Sequence, residues 1–481
     1  MGIHKESLRE EFDSIKAGLN EQSESGKVAD ETATLIKALL MLFNMMITIF
    51  LEKHTKKTSK NSSIPPSQTS KDDSSTGHGK TNSNGLKETS TQTRNTRTVE
   101  IDNLVRVDSC QCCGEDLTNI EPTSLERRAR IDIIFEKTVE HWDSQTKDCP
   151  SCSTTQKANF PEGISGPLQY GNGIKAYVIS LLVSEMLSLS RVAKMVVTLI
   201  GQSISEATLL SYIKKLYVAL EPWEKDVKAQ LLAQSCIHTD ETSLRVEGRN
   251  HWIHVYSAGD ITFKCLHKKR GKEAIEDIDI IPKYGGTIIH DCWRSYLGYE
   301  NCDHGLCGSH LLRELTFVHD ANKYRWAKNI KSLLQLTCKA VSEAQEKCLS
   351  DKAYRTLQRR YRNILTRAEK EMPPIPTKRT GRRGRIAKSD AHNLWERLKK
   401  HETAVLLFAK RPEVPFTNNR AERDLRMTKV KQKVSGCFRV FEFAKAYCRI
   451  SSYLQTMKYK GINPMVAISQ ALNGTSDFME G

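Results

Sequence analysis

Three acidic side chains stand where strand and helix patterns would bring carboxylates together. Asp240 closes Cys236-Ile237-His238-Thr239, Asp291 closes Thr287-Ile288-Ile289-His290, and Glu422 lies in Phe416-Thr417-Asn418-Asn419-Arg420-Ala421-Glu422-Arg423. Convergent carboxylates offer hard oxygen ligands to Mg2+ or Mn2+, the ions that activate an attacking oxygen and steady a leaving one in phosphoryl transfer. Glu241 and Asp424, each close to a member of the trio, are its competitors on spacing alone. A second chemistry is carried by sulfur. Cys110-Gln-Cys112-Cys113-Gly114 and Cys149-Pro-Ser-Cys152 have the spacing of zinc-ligand turns, flanking a segment of about 35 residues. Cys110, Cys113, Cys149 and Cys152 are the expected ligands of one structural Zn2+, with Cys112 an alternative to Cys110.

The elements that must position these groups follow from apolar spacing. Short β-rich runs begin at residue 236: Cys236 to Asp240, Trp252 to Tyr256, and Ile261 to Leu266, turning through Ala258-Gly259-Asp260. A helical stretch with Ala274, Ile275 and Ile278 follows, then a strand ending on Asp291, a helix, and a short last strand over Leu306-Cys307-Gly308. Three sequential strands, a helix, a strand, a helix and a strand make a mixed α/β sheet, the order of a ribonuclease-H-like core. In that order the first and fourth strands are neighbours, so Asp240 and Asp291 meet at one edge. The third acid comes from a helix capped by Thr417 or Asn418, with Glu422 in its first turns and Arg426 one turn on, able to pair with Glu422 or with phosphate.

Further parts surround that core. Residues 1–52 read as helical, polar first and then apolar. The apolar run Ala38 to Leu51, about fourteen residues, is short of the roughly twenty that a membrane span needs. It is expected to bury itself against a partner or a second copy, with no membrane involved. Residues 53–99, rich in Ser, Thr, Lys and Asn, predict a disordered tether. A zinc-binding segment is expected over 100–160 and a helical DNA-binding region over 161–230. In the latter, Ile174, Tyr177, Val178, Leu181 and Leu182 share a face, followed by Leu189, Val192, Ala193, Val196 and Val197. Gly201 with Ser203-Ile204-Ser205 turns into a helix capped by Ser205, a helix-turn-helix pattern. The catalytic region is expected over 231–430 with a helical insertion at about 320–410, and a helical tail over 431–481. Inside the insertion, Lys378, Arg379, Arg382, Arg383 and Arg385 form a basic loop suited to tracking a phosphate backbone.

The formal charge of +16 points to a polyanionic partner, best met by nucleic acid. The charged start, Met1 to Glu11, lacks the pattern of a secretory leader, so the 14 cysteines suggest reduced, metal-binding thiols rather than a disulfide framework.

These motifs together resemble transposases of the insertion sequence 66 family over nearly the whole chain. Asn61-Ser62-Ser63-Ile64-Pro65-Pro66-Ser67 is similar to the family's linker signature, and the two cysteine pairs to its zinc segment. His238-Thr239-Asp240-Glu241-Thr242, His290-Asp291-Cys292-Trp293-Arg294-Ser295-Tyr296 and Asn418-Asn419-Arg420-Ala421-Glu422-Arg423-Asp424-Leu425-Arg426 are similar to its three catalytic motifs. Thr417 departs from the family, where Asp is common. The resemblance implies a DDE-type enzyme with Asp240, Asp291 and Glu422 as its triad. Asn418, Asn419, Arg423 and Arg426 are then expected against DNA.

It further implies cleavage at element ends to give 3′ hydroxyls, joining to target DNA, a homo-oligomer that holds two ends, accessory proteins of the same element, and a cytoplasmic, nucleoid-associated setting of bacterial type. Cys307-Gly308-Ser309-His310, with Arg313 and Glu314, occupies the place of a family Cys/His segment, where packed core is expected ahead of a second metal site. The competing readings are a zinc-dependent DNA-binding regulator with an inactive core and a nuclease acting on RNA–DNA hybrids.

Overall fold

The computed structural model of the chain describes residues 5–24, 30–55, 103–131, 137–375 and 388–474. The basic loop, the tether and its Pro-Pro signature lie outside these residues.

Helices α1 (Lys5–Glu24) and α2 (Asp30–His54) come first, then a two-stranded antiparallel hairpin of β1 (Thr146–Asp148) and β2 (Thr155–Lys157). Four helices follow: α3 (Asn172–Val183), α4 (Leu189–Ile200), α5 (Glu206–Ala219) and α6 (Glu221–Leu232). The central stretch is β3 (Cys236–Val246), β4 (Arg249–Ala258), β5 (Ile261–His267), α7 (Lys272–Ile278), β6 (Thr287–His290) and β7 (Asp303–Leu306). Then come α8 (Gly308–Asn322), α9 (Arg325–Glu343), α10 (Asp351–Glu371), α11 (Asp390–Lys400), α12 (Glu402–Leu406), α13 (Asn419–Ser435), α14 (Phe441–Tyr459) and α15 (Pro464–Leu472). The chain divides into two compact units, one built on residues 224–432 with α1 and α2, the other on the described residues between 103 and 223 with α14 and α15.

In the first unit the strand order is β5-β4-β3-β6-β7, with the first three antiparallel and β3, β6 and β7 parallel, so the sheet is mixed as expected. Three details differ. β3 does not stop at Asp240 but runs 11 residues to Val246, because β4 continues to pair with it after β6 has ended. The expected helix between β6 and β7 is a single 3-10 turn, Tyr296–Gly298, since only twelve residues separate the two strands. The last strand is Asp303–Leu306 rather than 306–308. Cys307 instead caps α8, and the Gly308 amide donates to the Phe416 carbonyl at 2.7 Å. A side chain at Gly308 would collide with the Phe416 ring, so glycine is what lets the segment preceding α13 approach this closely.

Beyond β7, helices α8 to α12 bury Leu315, Trp326, Ile330, Tyr361 and Leu398 in a core shared with Ile289 and Leu306 of the sheet. The end of α2 joins this unit. Glu52 is buried and accepts from the Asp390 and Ala391 amides, at 2.5 and 3.0 Å, and from Asn322 Nδ2 at 3.0 Å. Its carboxylate thus caps α11, while burial pushes its pKa up. The apolar run is also longer than the sequence pattern indicates: within α2, Thr34–Lys53 is long and apolar enough to cross a membrane, and Thr48, Leu51 and Glu52 of that stretch are buried.

In the second unit α4 and α5 meet through Gly201, which takes the left-handed conformation at the end of α4. Ser205 caps α5 by accepting from the Thr208 amide at 3.1 Å. Val192 and Val196 of the expected apolar face are buried, whereas Val197 is exposed. Helix α15 packs on α3 and α5, so the chain's last helices belong to this helical unit rather than forming a separate tail.

Candidate active site

The parallel register of β3 on β6 ends at His238 opposite Ile289. Continued two residues, it sets Asp240 level with Asp291, just beyond the end of β6. The turn that presents Asp291 is tightly specified. Cys292 adopts a left-handed φ of 69°, an uncommon conformation for a residue with a side chain. The Asp291 carboxylate accepts from the Trp293 amide at 3.2 Å. The Cys292 amide donates to His290 Nδ1 at 3.2 Å, so His290 Nε2 carries the proton and donates to His304 Nδ1 at 3.1 Å. His304 in turn donates to the Tyr299 carbonyl at 2.8 Å. Burial, helped by His304, holds His290 well below the usual histidine range, which keeps His290 neutral.

Glu422 reaches the same place from α13. Asn418 stands before the helix, and its carbonyl accepts from the Glu422 amide at 3.3 Å. Its side chain does not cap α13, however. Asn418 Nδ2 donates to the Thr239 carbonyl at 2.8 Å, which leaves Oδ1 to accept from His238 Nδ1 at 2.9 Å. The Asn418 amide donates to Cys307 Sγ at 3.2 Å. With its polar groups committed inside, and 1% exposed, Asn418 fixes the start of α13 against the strand that bears Asp240. Asn419, Arg423 and Arg426 are exposed, and among the described residues Arg426 makes no ion pair with Glu422.

Asp240 senses the other two acids. Burial pushes the Asp240 pKa well above the usual carboxylate range, and the charges of Glu241, Asp291 and Glu422 push it further. The two competitors are accounted for elsewhere. Glu241, its side chain 1% exposed, holds Arg270 Nη2 and Nε at 2.6 and 2.8 Å and accepts from the Tyr296 hydroxyl at 2.8 Å. The Arg270 guanidinium is itself stacked on Trp252 and Trp293, 4.9 and 4.5 Å from the ring centres. Asp424, fully buried, accepts from Ser257 Oγ at 2.6 Å, Thr262 Oγ1 at 2.7 Å and Arg420 Nε at 3.2 Å. One acid of each neighbouring pair is therefore ion-paired inside the fold, Glu241 with Arg270 and Asp424 with Arg420. Spacing gives no hint of Arg270, which follows β5 as the third of three basic residues.

The cysteine pairs form two separate turns. Gly114, at φ 79°, bends the first, with its amide donating to the Cys110 carbonyl at 2.9 Å. Hydrogen bonds from the Cys113 and Cys112 amides, and then the Cys113 thiol, lower the Cys110 pKa, and Cys112 and Cys113 are both exposed. Cys149 and Cys152 sit at the tip of the β1–β2 hairpin. Bonds from Thr154, first from its hydroxyl and then from its amide, with the Cys149 thiol, lower the Cys152 pKa. Among the described residues the four thiols do not gather into one group. The group that does gather is Cys307, His310 and Glu422. Cys307 is buried as expected of core, but His310 Nδ1 stands 3.7 Å from Glu422.

A mixed sheet that brings two strand-borne acids and a helix-borne acid towards one edge makes this an α/β protein with an acidic cluster at that edge. Residues 167–446 match the family model of the transposase IS66 family, and the chain belongs to that family. No curated protein matches it. Membership gives the chain a transposase role, with DNA as the partner that role requires.

Proposed function

We propose that the chain is a DDE-type transposase in which Asp240, Asp291 and Glu422 form the catalytic triad. The observation that supports this best is that Asp240 lies within the fields of Asp291 and Glu422, together with the ion pairing of Glu241 with Arg270 and of Asp424 with Arg420, Ser257 and Thr262 completing the partners of the latter. Three converging carboxylates with no lysine or arginine ion-paired to them among the described residues suit a divalent cation. Mg2+ or Mn2+ held by Asp240, Asp291 and Glu422 would supply Lewis-acid activation of the attacking oxygen and charge neutralisation at the leaving one.

The residues' own work is positional. Asn418 and His238 fix where Glu422 enters, and the His290–His304 relay with the Cys292 turn fixes Asp291. Water attacks phosphorus at an element end and the bond to the 3′ oxygen breaks, leaving a 3′ hydroxyl as that oxygen gains a proton. The hydroxyl then attacks a phosphorus of target DNA, displacing a second 3′ oxygen.

Arg423 and Arg426, exposed on α13, and Asn419 at its start are positioned to meet DNA near the triad, with Lys378, Arg379, Arg382, Arg383 and Arg385 as a further backbone contact. The pair α4–α5 is the candidate reader of element ends. Cys110, Cys113, Cys149 and Cys152 are the candidate zinc ligands, their lowered Cys110 and Cys152 pKa values favouring thiolate. Closing all four on one ion requires the two turns to approach. Two ends must be held at once, which favours a homo-oligomer. Asp291→Asn is expected to abolish cleavage of end-bearing DNA in Mg2+ while end binding survives. Strand transfer at the parental rate in that variant sinks the triad, and end binding without cleavage by the parental protein favours a regulator with an inactive core.

A further inference from the structure

Next to the three acids lies a cluster of different chemistry. Cys307 Sγ, His310 Nδ1 and a Glu422 oxygen lie within 4.8 Å of one another, the sole such group of three or more found among the described residues. Two ligands come from the start of α8, where Cys307 is the cap and His310 lies in the first turn, and the third comes from α13. His310 Nδ1 is buried and has no hydrogen-bond partner, though it faces Glu422 Oε1 at 3.7 Å. A buried imidazole nitrogen left without a partner calls for an explanation. Cys307 Sγ lies 4.0 Å from the same oxygen, to which the thiol donates, and accepts from the Asn418 amide at 3.2 Å.

Ligands bound at 2.0–2.3 Å around a tetrahedral ion stand roughly 3.3–3.5 Å apart. The separations to Glu422 Oε1 are a few tenths of an ångström longer, so small side-chain shifts would close them on an ion. A thiolate, an imidazole and one carboxylate select zinc-like ions, whereas the all-carboxylate set of Asp240, Asp291 and Glu422 suits Mg2+.

We propose that Cys307, His310 and Glu422 form a binding site for a zinc-class divalent ion, with the fourth position open to water, and that filling it withdraws Glu422 from the catalytic acids. The competition rests on the triad reading above; the binding itself does not. On binding, the Cys307 thiol gives its proton to solvent.

The full chain, stripped of metal, is titrated with Co2+ while the thiolate-to-cobalt charge-transfer band is followed. The unmodified protein is expected to gain a component of that band that Cys307→Ser loses and Asp291→Asn keeps. His310→Phe, which covers the case in which Cys307→Ser fails to fold, is expected to weaken Co2+ binding by at least the roughly 10–100-fold that loss of an outer-shell partner costs. Equal Co2+ uptake and band intensity in the parent and both variants overturns the site, as a merely orienting role for Cys307 and His310 requires. The second arm adds Zn2+ to the Mg2+-driven cleavage reaction. The parent is expected to slow at zinc concentrations at least about tenfold below those that slow His310→Phe, and equal sensitivity overturns the competition. If the parent cleaves under no cation, the triad reading fails, while the cobalt result still decides the site.

Discussion

The acid cluster and the cysteine turns are built in opposite ways, and spacing alone points more firmly to the thiols than to the acids. The acids converge from β3, the end of β6 and α13, segments up to 182 residues apart, because a sheet and a helix start are locked together. The thiols pair only with close neighbours, Cys110 with Cys113 and Cys149 with Cys152, each in a turn that a few backbone hydrogen bonds define. A local motif can thus be formed without its long-range partner, whereas a topological site exists only once the whole sheet does.

The largest effect expected is on the acids. Asp240→Asn is expected to reduce cleavage by at least about three orders of magnitude, several kcal/mol of transition-state stabilisation. In metal-free buffer it should also raise the urea midpoint, since a buried carboxylate among like charges is removed, and it should abolish any stabilisation by Mg2+. A lower midpoint in metal-free buffer would mean that Asp240 has a structural partner. Second, Cys110→Ser and Cys149→Ser should each lose the same single zinc per chain, measured by metal analysis of the purified protein. Zinc retained by either variant would mean that the two turns do not share an ion.

Third, Asp424→Asn should destabilise the first unit by about 3–5 kcal/mol, the usual result of removing one partner from a buried charged network. Residual cleavage by its folded fraction would separate its role from that of Glu422, and an unchanged melting curve would show that Arg420 needs no partner there. The smallest effect concerns His254, buried on β4, whose pKa burial lowers to about 4. Its folded value is below the unfolded one near 6.5, so its contribution is present above pH 6.5 and is lost as pH falls towards 4. The loss amounts to at most about 3 kcal/mol. His254→Phe should flatten the pH dependence of the urea midpoint in that window, and an unchanged slope would assign the titration to His290 or another buried histidine.

Much of the site was legible because its acids lie in compact motifs, His238 to Thr242, His290 to Tyr296 and Asn418 to Arg426. The mixed sheet was legible from the order of β-rich runs. Hidden from the sequence were facts of pairing and packing. The length of β3 depends on β4, which is why Asp240 seemed to end a strand. Asn418 matched a DNA-contact expectation, but its side chain is engaged by Thr239 and His238, residues about 180 positions away. Cys307 and His310 matched packed core because nothing local announces that Glu422 arrives beside them. Arg270 was invisible because its meaning lies in Glu241, Trp252 and Trp293 rather than in its neighbours along the chain.

The Glu52 cap carries a practical consequence for anyone shortening this chain. Removing the first 55 residues would strip a carboxylate from the Asp390 and Ala391 amides and from Asn322, deep in the helical insertion. The opening helices are therefore a clasp on the far side of the sequence, and a truncated protein would begin with an open helix end where the intact one has a closed lock.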